Sequence, residues 1–395
     1  MQERTERTLR LMFVAGEASG DAHAAALVRA LQARAGDLRL EAFGATGREM
    51  RAAGVETIVE IDQLAIVGLF EIGRTLPKFW RVFRLLRDAA LARRPDAVVL
   101  VDWPDFNLRL ARTLHRRGLK VIYYISPQLW AWRAHRVRAV RRDVDLLLAI
   151  LPFEPEWYAQ RGVAHVEFVG HPLAGAVYAR YDRAEFCRRH QLDPARPIIA
   201  LLPGSRHKEL TRILPPMLAA AKIIFHARPD AQFVVALAPN RSPTEAALII
   251  AATTSTDRAA PSLRLVEHET REALAAADAA AVTSGTATLE TALLGTPLVV
   301  VYKESALNWH ILGRLITTDH YGLVNLVAGE RLAPELMQHD LTGARLAEEL
   351  LKLLDEEQNK TMRARLFTAT ARLGAGGASA RAADAVLRAL RKWRG

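Results

Sequence analysis

Short apolar runs alternate with longer helical patterns along the chain. In its first half, continuous apolar runs predict strands at residues 9–15, 39–43, 97–101, 120–125 and 146–150. Between them, apolar residues that recur every three or four positions predict helices, among them residues 21–34, 76–92 and 107–117. Strands that are apolar throughout and separated by helices are typical of parallel sheets covered on both faces.

The second half of the chain repeats this alternation. Its predicted strands lie at residues 198–202, 232–237, 263–266, 279–282 and 298–301. Two successive alternations predict an α/β protein of two Rossmann-like, doubly wound parallel-sheet domains. We place the domains at residues 1–175 and 176–373, with a last segment, 374–395, after a glycine-rich break. In this class the carboxyl ends of the strands face a central cleft that holds the ligand.

Charge and cysteine content narrow the functional classes. The chain has 54 basic and 43 acidic residues, a net charge of +11, which favours an anionic partner such as nucleic acid, a phosphorylated metabolite or an acidic lipid surface. The single cysteine, Cys187, excludes an internal disulfide and a cysteine-based zinc site, as is typical of a reducing compartment. No apolar run reaches the length of a membrane span, so we expect a soluble or peripheral protein.

Two turns of the first half combine small and acidic residues. AGEASGD (15–21) follows the first strand and precedes a helix, a place suited to an anion or a sugar hydroxyl; it is equally explained as a turn capped by Ser19 or Asp21. VDWPDFN (101–107) follows another strand, and its carboxylates could abstract a proton and orient a substrate. Asp105 and Asn107 could instead cap the next helix, whereas Asp102 is harder to explain as a cap.

A third segment, ISPQLWAW (125–132), places two tryptophans before a run of basic residues. The tryptophans could stack on sugars and the arginines could hold phosphates. Without further information, a packed loop followed by a solvated helix is the better interpretation.

Two turns of the second half are suited to phosphates. In LPGSRH (202–207), Gly204 permits close approach, Ser205 offers a hydroxyl and Arg206 supplies a charged fork. In TSGTATLE (283–290), small hydroxyl residues stand at a helix N-terminus, and Glu290 could accept hydrogen bonds from both hydroxyls of a ribose. Two such turns in one domain favour nucleotide binding.

Residues 64–92 carry a different pattern. Apolar residues of the helical part fall on one side and basic residues on the other, as in a helix that lies on a membrane surface. An ordinary amphipathic helix packed on its own sheet would show the same pattern.

Eight motifs in this order resemble one family, the lipid-A-disaccharide synthases. They are AGEASGD, DWPDFN, SPQLWAWR, LPFEPEWY, FVGHPL, LPGSRHKEL, SGTATLE and NLVAGERLAPELMQ. The resemblance runs from about residue 11 to the last helix. It implies a two-domain glycosyltransferase of the GT-B type that needs no metal and no cofactor and inverts the anomeric centre. The implied donor is UDP-2,3-diacylglucosamine, the acceptor is 2,3-diacylglucosamine 1-phosphate (lipid X), and the products are the β-1,6-linked disaccharide 1-phosphate and UDP.

The resemblance also implies roles for single residues. Asp102 becomes the candidate base for the acceptor 6-hydroxyl, and Glu17 and Ser19 belong to the acceptor side. Arg206, with Ser205, would neutralise the leaving diphosphate. Glu290 would hold the ribose and Asn325 would lie close to the UDP. Further substrate-binding candidates are Asp105, Asn107, Ser126, Ser284, Gly285 and Thr286.

The family assignment sets the expected location and partners. The first domain would face the acceptor and the membrane, the second would bind the UDP-sugar, and residues 374–395 would pack back on the first. We expect a cytoplasmic protein, peripheral on the inner face of the bacterial inner membrane, which binds anionic lipid through residues 67–86. A homodimer is possible, and no nucleic-acid partner is expected. The alternatives are another two-domain UDP-sugar enzyme, such as a UDP-N-acetylglucosamine 2-epimerase or a peptidoglycan glycosyltransferase, and a basic nucleotide- or membrane-binding scaffold without turnover.

Overall fold

The computed structural model describes residues 8–36, 38–61, 72–254, 261–305, 309 and 318–394. The chain divides into two compact units. Unit 1 comprises Met1–Pro172 and Ala375–Gly395, and unit 2 comprises Leu173–Gly374.

Unit 1 is a parallel sheet with helices between its strands. Its strands are β1 (Thr8–Val14), β2 (Arg39–Thr46), β3 (Glu56–Glu60), β4 (Ala97–Val101), β5 (Val121–Tyr124), β6 (Leu146–Ala149) and β7 (Val166–Phe168). The helices between them are α1 (Ala18–Arg34), α2 (Arg48–Ala52), α3 (Ile72–Arg93), α4 (Pro104–His115), α5 (Val137–Asp143) and α6 (Glu154–Ala159). The strand order is β3-β2-β1-β4-β5-β6-β7. All pairs are parallel. Strands β2 and β3 are added on one side of β1, and strands β4 to β7 are added on its other side.

Unit 2 has the same construction. Its strands are β8 (Ile198–Leu202), β9 (Gln232–Leu237), β10 (Leu263–Glu267), β11 (Ala279–Thr283), β12 (Leu298–Tyr302) and β13 (Glu335–Met337). Its helices are α7 (Arg183–His190), α8 (His207–Ala227), α9 (Pro243–Thr254), α10 (Thr270–Ala276), α11 (Thr286–Leu293), α12 (Leu323–Ala328), α13 (Gly343–Leu353) and α14 (Glu356–Ala371). The order is β10-β9-β8-β11-β12-β13, again parallel.

The predicted doubly wound parallel-sheet class is confirmed in both units. Central strands such as β4 and β8 are buried at every position, which explains why continuous apolar runs marked them. Three strands were not predicted, namely β3, β7 and β13. Each is short, carries glutamate and lies at a sheet edge, where one side of the strand has no neighbour to pair with.

The last helix, α15 (Ala378–Arg394), belongs to unit 1 although it follows unit 2 in the chain. Gly376 and Gly377 precede it with φ of 83° and 68°, a conformation that L side chains rarely adopt. Its apolar face, including Val386 and Leu390, enters the same core cluster as Leu27 of α1. The helix thus covers a face of α1 that would otherwise meet water.

Helix α3 corrects part of the membrane interpretation. Phe83, Leu86 and Ala90 are buried in the core of unit 1, and Phe79 packs against that core. The helix therefore uses this face for its own sheet and not for a bilayer. Trp80 and Leu85 remain exposed, with 47% and 46% of their surface accessible. Residues 67–71 lie outside the described residues.

Candidate functional site

The turn after β4 is the most constrained part of the unit 1 candidate site. Asp102 and Trp103 both have a φ of 49°, which costs a non-glycine residue about 1–3 kcal/mol each. The backbone oxygen of Asp102 accepts hydrogen bonds from the Asn107 amide (2.7 Å) and the Tyr123 hydroxyl (2.6 Å). Its backbone N–H donates to the Tyr124 oxygen at 3.1 Å. These bonds hold the Asp102 backbone in a strained geometry at the strand end.

Asn107 supports the backbone of the Asp102 turn. It is fully buried, within the first turn of α4, and its amide donates to backbone oxygens that include those of Val101 and Asp102. Its Oδ1 is buried and has no hydrogen-bond partner in the described part of the chain. The Asn107 amide thus fixes the Asp102 turn, and its part in substrate binding stays a prediction. The interpretation of Asn107 as a helix cap is wrong, because α4 begins at Pro104.

The turn after β1 lies against the Asp102 turn. A Cβ added to Gly16 would come within 2.2 Å of the Trp103 indole, so only glycine fits here. Glu17, exposed at the cap position of α1, is close enough to act on Asp102. Burial first, and then the negative charge of Glu17, raises the pKa of the Asp102 carboxyl. The two acidic turns singled out in the sequence thus meet at one edge of the sheet.

Ser19 and Asp21 differ in their exposure to solvent. Ser19 is exposed in the first turn of α1. Asp21 is buried and accepts hydrogen bonds from the backbone N–H groups of Gly47 (2.7 Å), Glu49 (2.8 Å) and Met50 (3.2 Å). Asp21 therefore satisfies the N-terminus of α2, not that of its own helix.

The loop 126–132 is held from beneath by Glu154. This carboxylate is buried and accepts hydrogen bonds from Ser126 Oγ (2.9 Å) and Trp130 Nε1 (3.1 Å), and from the backbone N–H groups of Ile150 (3.1 Å) and Leu151 (2.9 Å). Burial raises its pKa to about 7 against the lowering effect of these donors. Ser126, predicted to bind substrate, is itself buried and helps to hold the loop, and its part in substrate binding stays a prediction.

Asp105 forms ion pairs on the surface of unit 1. Its carboxylate lies 3.0 Å from Arg133 Nη1 and 2.6 Å from Arg136 Nη2. Two basic residues of the segment after the tryptophans are thus engaged by an acid of the β4–α4 turn. Trp132 lies under the Arg133 guanidinium at 4.2 Å from the ring centroid.

In unit 2, a cavity of about 770 Å³ opens where β8, β9, β10 and β11 end. Helices α8, α10 and α11 begin at the same edge, and a helix N-terminus favours negative charge. Six predicted residues line this cavity together: Ser205, Arg206, Ser284, Gly285, Thr286 and Glu290. The arrangement suits a ligand with several anionic oxygens.

Two glycines shape this cavity in different ways. Gly204 has a φ of 109°, and a Cβ there would lie 2.5 Å from Glu209 Oε2. Gly285 has a φ of 147°, and a Cβ placed there would meet no described atom within 4 Å. The first glycine lets Glu209 fold under the turn, and the second leaves the N-terminus of α11 accessible to a ligand.

Several arginine–glutamate pairs line the cavity. Arg206 Nη1 lies 3.1 Å from Glu209 Oε1, yet 78% of the Arg206 side chain is accessible. Glu209 also accepts from the backbone N–H groups of Ser205 (2.9 Å) and Arg206 (3.1 Å), which closes the turn. Arg206 is thereby held through its backbone N–H and Nη1, while most of its side chain stays exposed.

Two more pairs come from the segment after β10. Arg271 bonds to Glu290, and Arg180 Nε donates to Glu272 at 2.7 Å. The partnership with Arg180 holds the pKa of Glu272 below its usual value despite its burial. The sequence did not single out these arginines or Glu272, although Arg271 and Glu272 also follow a strand end, which is the signal that could have found them.

Asn325 lies away from the exposed groups. It is fully buried, its amide donates to the Ala333 oxygen and to Glu335 Oε1, both at 2.8 Å, and its oxygen accepts from the Ala333 N–H. Its polar atoms are used internally, and its predicted place close to the UDP stays a prediction. Glu335 also accepts from the Tyr321 N–H, and Ser284 Oγ donates to the Tyr321 oxygen at 2.8 Å. Asn325 is thus linked, through Glu335 and Tyr321, to the cavity residue Ser284.

Comparison with known proteins agrees with these features. A model of the lipid-A-disaccharide synthetase family matches residues 11–386. The lipid-A-disaccharide synthase of Geobacter sulfurreducens is 42% identical over 394 residues, covering 99% of this chain and 100% of the relative.

Solved structures resemble the fold at low sequence identity. The UDP-GlcNAc 2-epimerase from Neisseria meningitidis bound to UDP-GlcNAc has a TM-score of 0.62 at 12% identity, covering 97% of this chain and 100% of its own. CalG4, the calicheamicin glycosyltransferase, has a TM-score of 0.60 at 18% identity, covering 98% and 100%. The fold is therefore shared by epimerases and glycosyltransferases, and only the sequence match separates them. By that match over nearly its whole length, the chain belongs to the lipid-A-disaccharide synthase family of glycosyltransferases.

Proposed function

We propose that the chain joins UDP-2,3-diacylglucosamine to 2,3-diacylglucosamine 1-phosphate and releases the β-1,6-linked disaccharide 1-phosphate and UDP. The observation that carries this proposal is the family match across residues 11–386. The unit 2 cavity, with its helix N-termini and arginines, supports a nucleotide-sugar donor.

For the donor, we propose that UDP lies in the unit 2 cavity. The Arg206 side chain is largely exposed and would meet the diphosphate, whose negative charge grows as the anomeric bond breaks. Ser205 and the N-terminus of α11 at Thr286 offer further donors. Glu290 would accept hydrogen bonds from the ribose hydroxyls.

For the acceptor, we propose that Asp102 removes the proton of the 6-hydroxyl. A base is most effective when its pKa approaches the working pH, and burial and Glu17 shift the pKa of Asp102 in that direction. Asn107 and Tyr123 position its backbone, so the carboxylate needs little reorganisation. Glu17 would tune the base and, with Ser19, face the acceptor.

We further propose that the protein collects its acylated substrates as a peripheral protein on the inner face of the inner membrane. Among the described residues, no helix has the length and apolar content of a membrane span. Trp80 and Leu85 are exposed on α3 beside exposed Arg81 and Arg84, which supports a contact with anionic lipid.

The test supplies the purified protein with both acylated sugars and measures UDP release and disaccharide formation by mass spectrometry. We expect both products in equal amounts, and neither when the acceptor is omitted. UDP release without the acceptor, or UDP binding without turnover, would contradict the proposal. The first outcome would indicate another UDP-sugar enzyme and the second a binding scaffold.

A further inference from the structure

Arg271 holds Glu290 by one oxygen on the wall of the unit 2 cavity. Its Nε and Nη2 donate to Glu290 Oε1 at 3.1 Å and 2.9 Å. Its Nη1 donates to the backbone oxygen of Ala176 at 3.1 Å, so the guanidinium is anchored at both ends of its fork. Both side chains line the cavity, with 38% of Arg271 and 24% of Glu290 accessible.

This geometry distinguishes the two oxygens of the carboxylate. Both bonds from Arg271 fall on Oε1, and within the described part of the chain Oε2 makes no hydrogen bond. A glutamate has three rotatable side-chain bonds, and fixing them on ligand binding would cost entropy. With Oε1 already held, Oε2 is presented to a ligand without that cost.

We propose that Arg271 is a positioning residue that sets Glu290 to accept hydrogen bonds from the ribose hydroxyls, and so makes the cavity selective for ribonucleotides. The inference rests on the proposed function, which places UDP in this cavity. A site built around a fixed acceptor disfavours a ligand that lacks the matching hydroxyl, because the half-buried acceptor is then left unpaired.

The experiment measures dissociation constants for UDP and for 2′-deoxy-UDP by titration calorimetry. It compares the wild-type chain, Arg271→Gln, Arg271→Lys, Glu290→Gln and the control Arg228→Gln. Arg228 is paired with Asp230, outside the residues that line the cavity. We expect the wild type and Arg228→Gln to prefer UDP by about 10-fold or more, the effect of one hydrogen bond to a charged group.

In Arg271→Gln the preference for UDP over 2′-deoxy-UDP should fall to about 2-fold. UDP should bind more weakly, whereas the affinity for 2′-deoxy-UDP should stay nearly constant. Arg271→Lys keeps the positive charge but lacks the forked guanidinium, and it should reduce the preference for UDP as well. Circular dichroism identifies the folded variants. A folded Arg271 variant with the wild-type preference overturns the inference, as does an equal weakening for both nucleotides, which indicates a structural role only.

Glu290→Gln separates this inference from the proposed function. If it narrows the preference and the Arg271 variants do not, the role of Arg271 fails while the nucleotide site stands. If Glu290→Gln keeps the wild-type preference, or the wild type binds neither nucleotide, the proposed ribose contact fails and the inference with it.

Discussion

Asp102 and Trp103 are two adjacent residues with left-handed backbone that are not glycine. The surroundings that impose this geometry are two side-chain hydrogen bonds to the Asp102 oxygen and the packing of Trp103 over Gly16. Trp103 also stacks on Phe106 with ring centroids 4.0 Å apart. Strain held in place by the neighbouring structure is typical of sites where a side chain must point in one direction.

Replacing Asp102 with asparagine should lower turnover by about 10²–10⁴-fold, the usual contribution of a general base, with UDP affinity unchanged. The base acts when deprotonated, so wild-type activity should fall as pH drops through its pKa. That acidic limb should lie above pH 3.8, because the pKa of Asp102 is raised from this value. Steady-state rates across pH, with Asp88→Asn as a surface control, provide the measurement. Near-normal turnover of Asp102→Asn would remove it from this role and make Asp105 the next candidate.

Replacing Arg206 with alanine should reduce kcat by about 10²-fold and donor binding much less, because the diphosphate gains charge toward the transition state. Its exposure predicts little change in folding stability. Steady-state kinetics at varied donor concentration measures the effect. A rise in KM with kcat unchanged would mean that Arg206 binds ground and transition states equally.

At the scale of elements, the loop after β5 depends on one helix. Glu154, the first residue of α6, bonds Ser126 and Trp130, which lie four residues apart in that loop. The loop can hold its shape only while α6 supplies this acceptor.

Glu154 gives the stability a measurable pH dependence. Because burial raises its folded-state pKa from 4.5 to about 7, the folded state retains a proton that the unfolded state has lost between these values. The contribution is therefore complete below pH 4.5 and is lost as pH rises through about 7, a loss on the order of 3 kcal/mol. Urea unfolding from pH 4.5 to 8 gives the free energy of unfolding of the wild type and of Glu154→Gln. The wild-type value minus the Glu154→Gln value should decrease as the pH rises. Parallel curves would contradict this account.

Helix α3 offers two faces with separate tests. Trp80→Ser with Leu85→Ser should keep the fold and weaken sedimentation with phosphatidylglycerol vesicles at low salt, since both side chains are exposed. High salt should release the wild type, because exposed bases such as Arg81 and Arg84 are screened. Phe367→Ser, which changes an exposed aromatic of α14, serves as the control. Unchanged sedimentation of the double variant would exclude this face of α3 from lipid binding.

The opposite face of α3 belongs to the core of unit 1. Phe83→Ala should therefore destabilise unit 1 by about 3–5 kcal/mol.

At the scale of the whole molecule, unit 1 is completed by the last segment of the chain. Arg381 Nε donates to the Val169 oxygen at 2.8 Å, and the Arg34 and Asp384 side chains pair at 3.0 Å, which adds polar contacts around the apolar face of α15. Unit 1 cannot complete its core until residues beyond unit 2 have been made.

Leu390→Ala should therefore destabilise unit 1 by about 2–5 kcal/mol, the usual cost of a buried leucine, and leave unit 2 unaffected. Hydrogen exchange followed by mass spectrometry resolves the two units, for which a single unfolding temperature would be ambiguous. Leu248→Ala, exposed on α9, is the matched control. Equal loss of protection in both units would contradict the assignment of α15 to unit 1.

The sequence by itself determined the fold class and most strands, because burial of a central parallel strand requires a local run of apolar residues. It also located the strand-to-helix turns, since their small, acidic and hydroxyl residues stand where each run ends. It did not identify β3, β7 and β13, whose positions depend on pairing with a neighbour more than on their own composition.

Only the tertiary structure decided what each polar side chain does. Asn107, Ser126 and Asn325 stand in motifs as open to function as Asp102 and Arg206, yet they are buried and bond to their own scaffold. The pairing of Arg271 with Glu290, 19 residues apart, and the closeness of Glu17 to Asp102 likewise follow from strand order. Local patterns encode which residues avoid water, whereas the partner of a polar group depends on which distant segments the sheet places beside it.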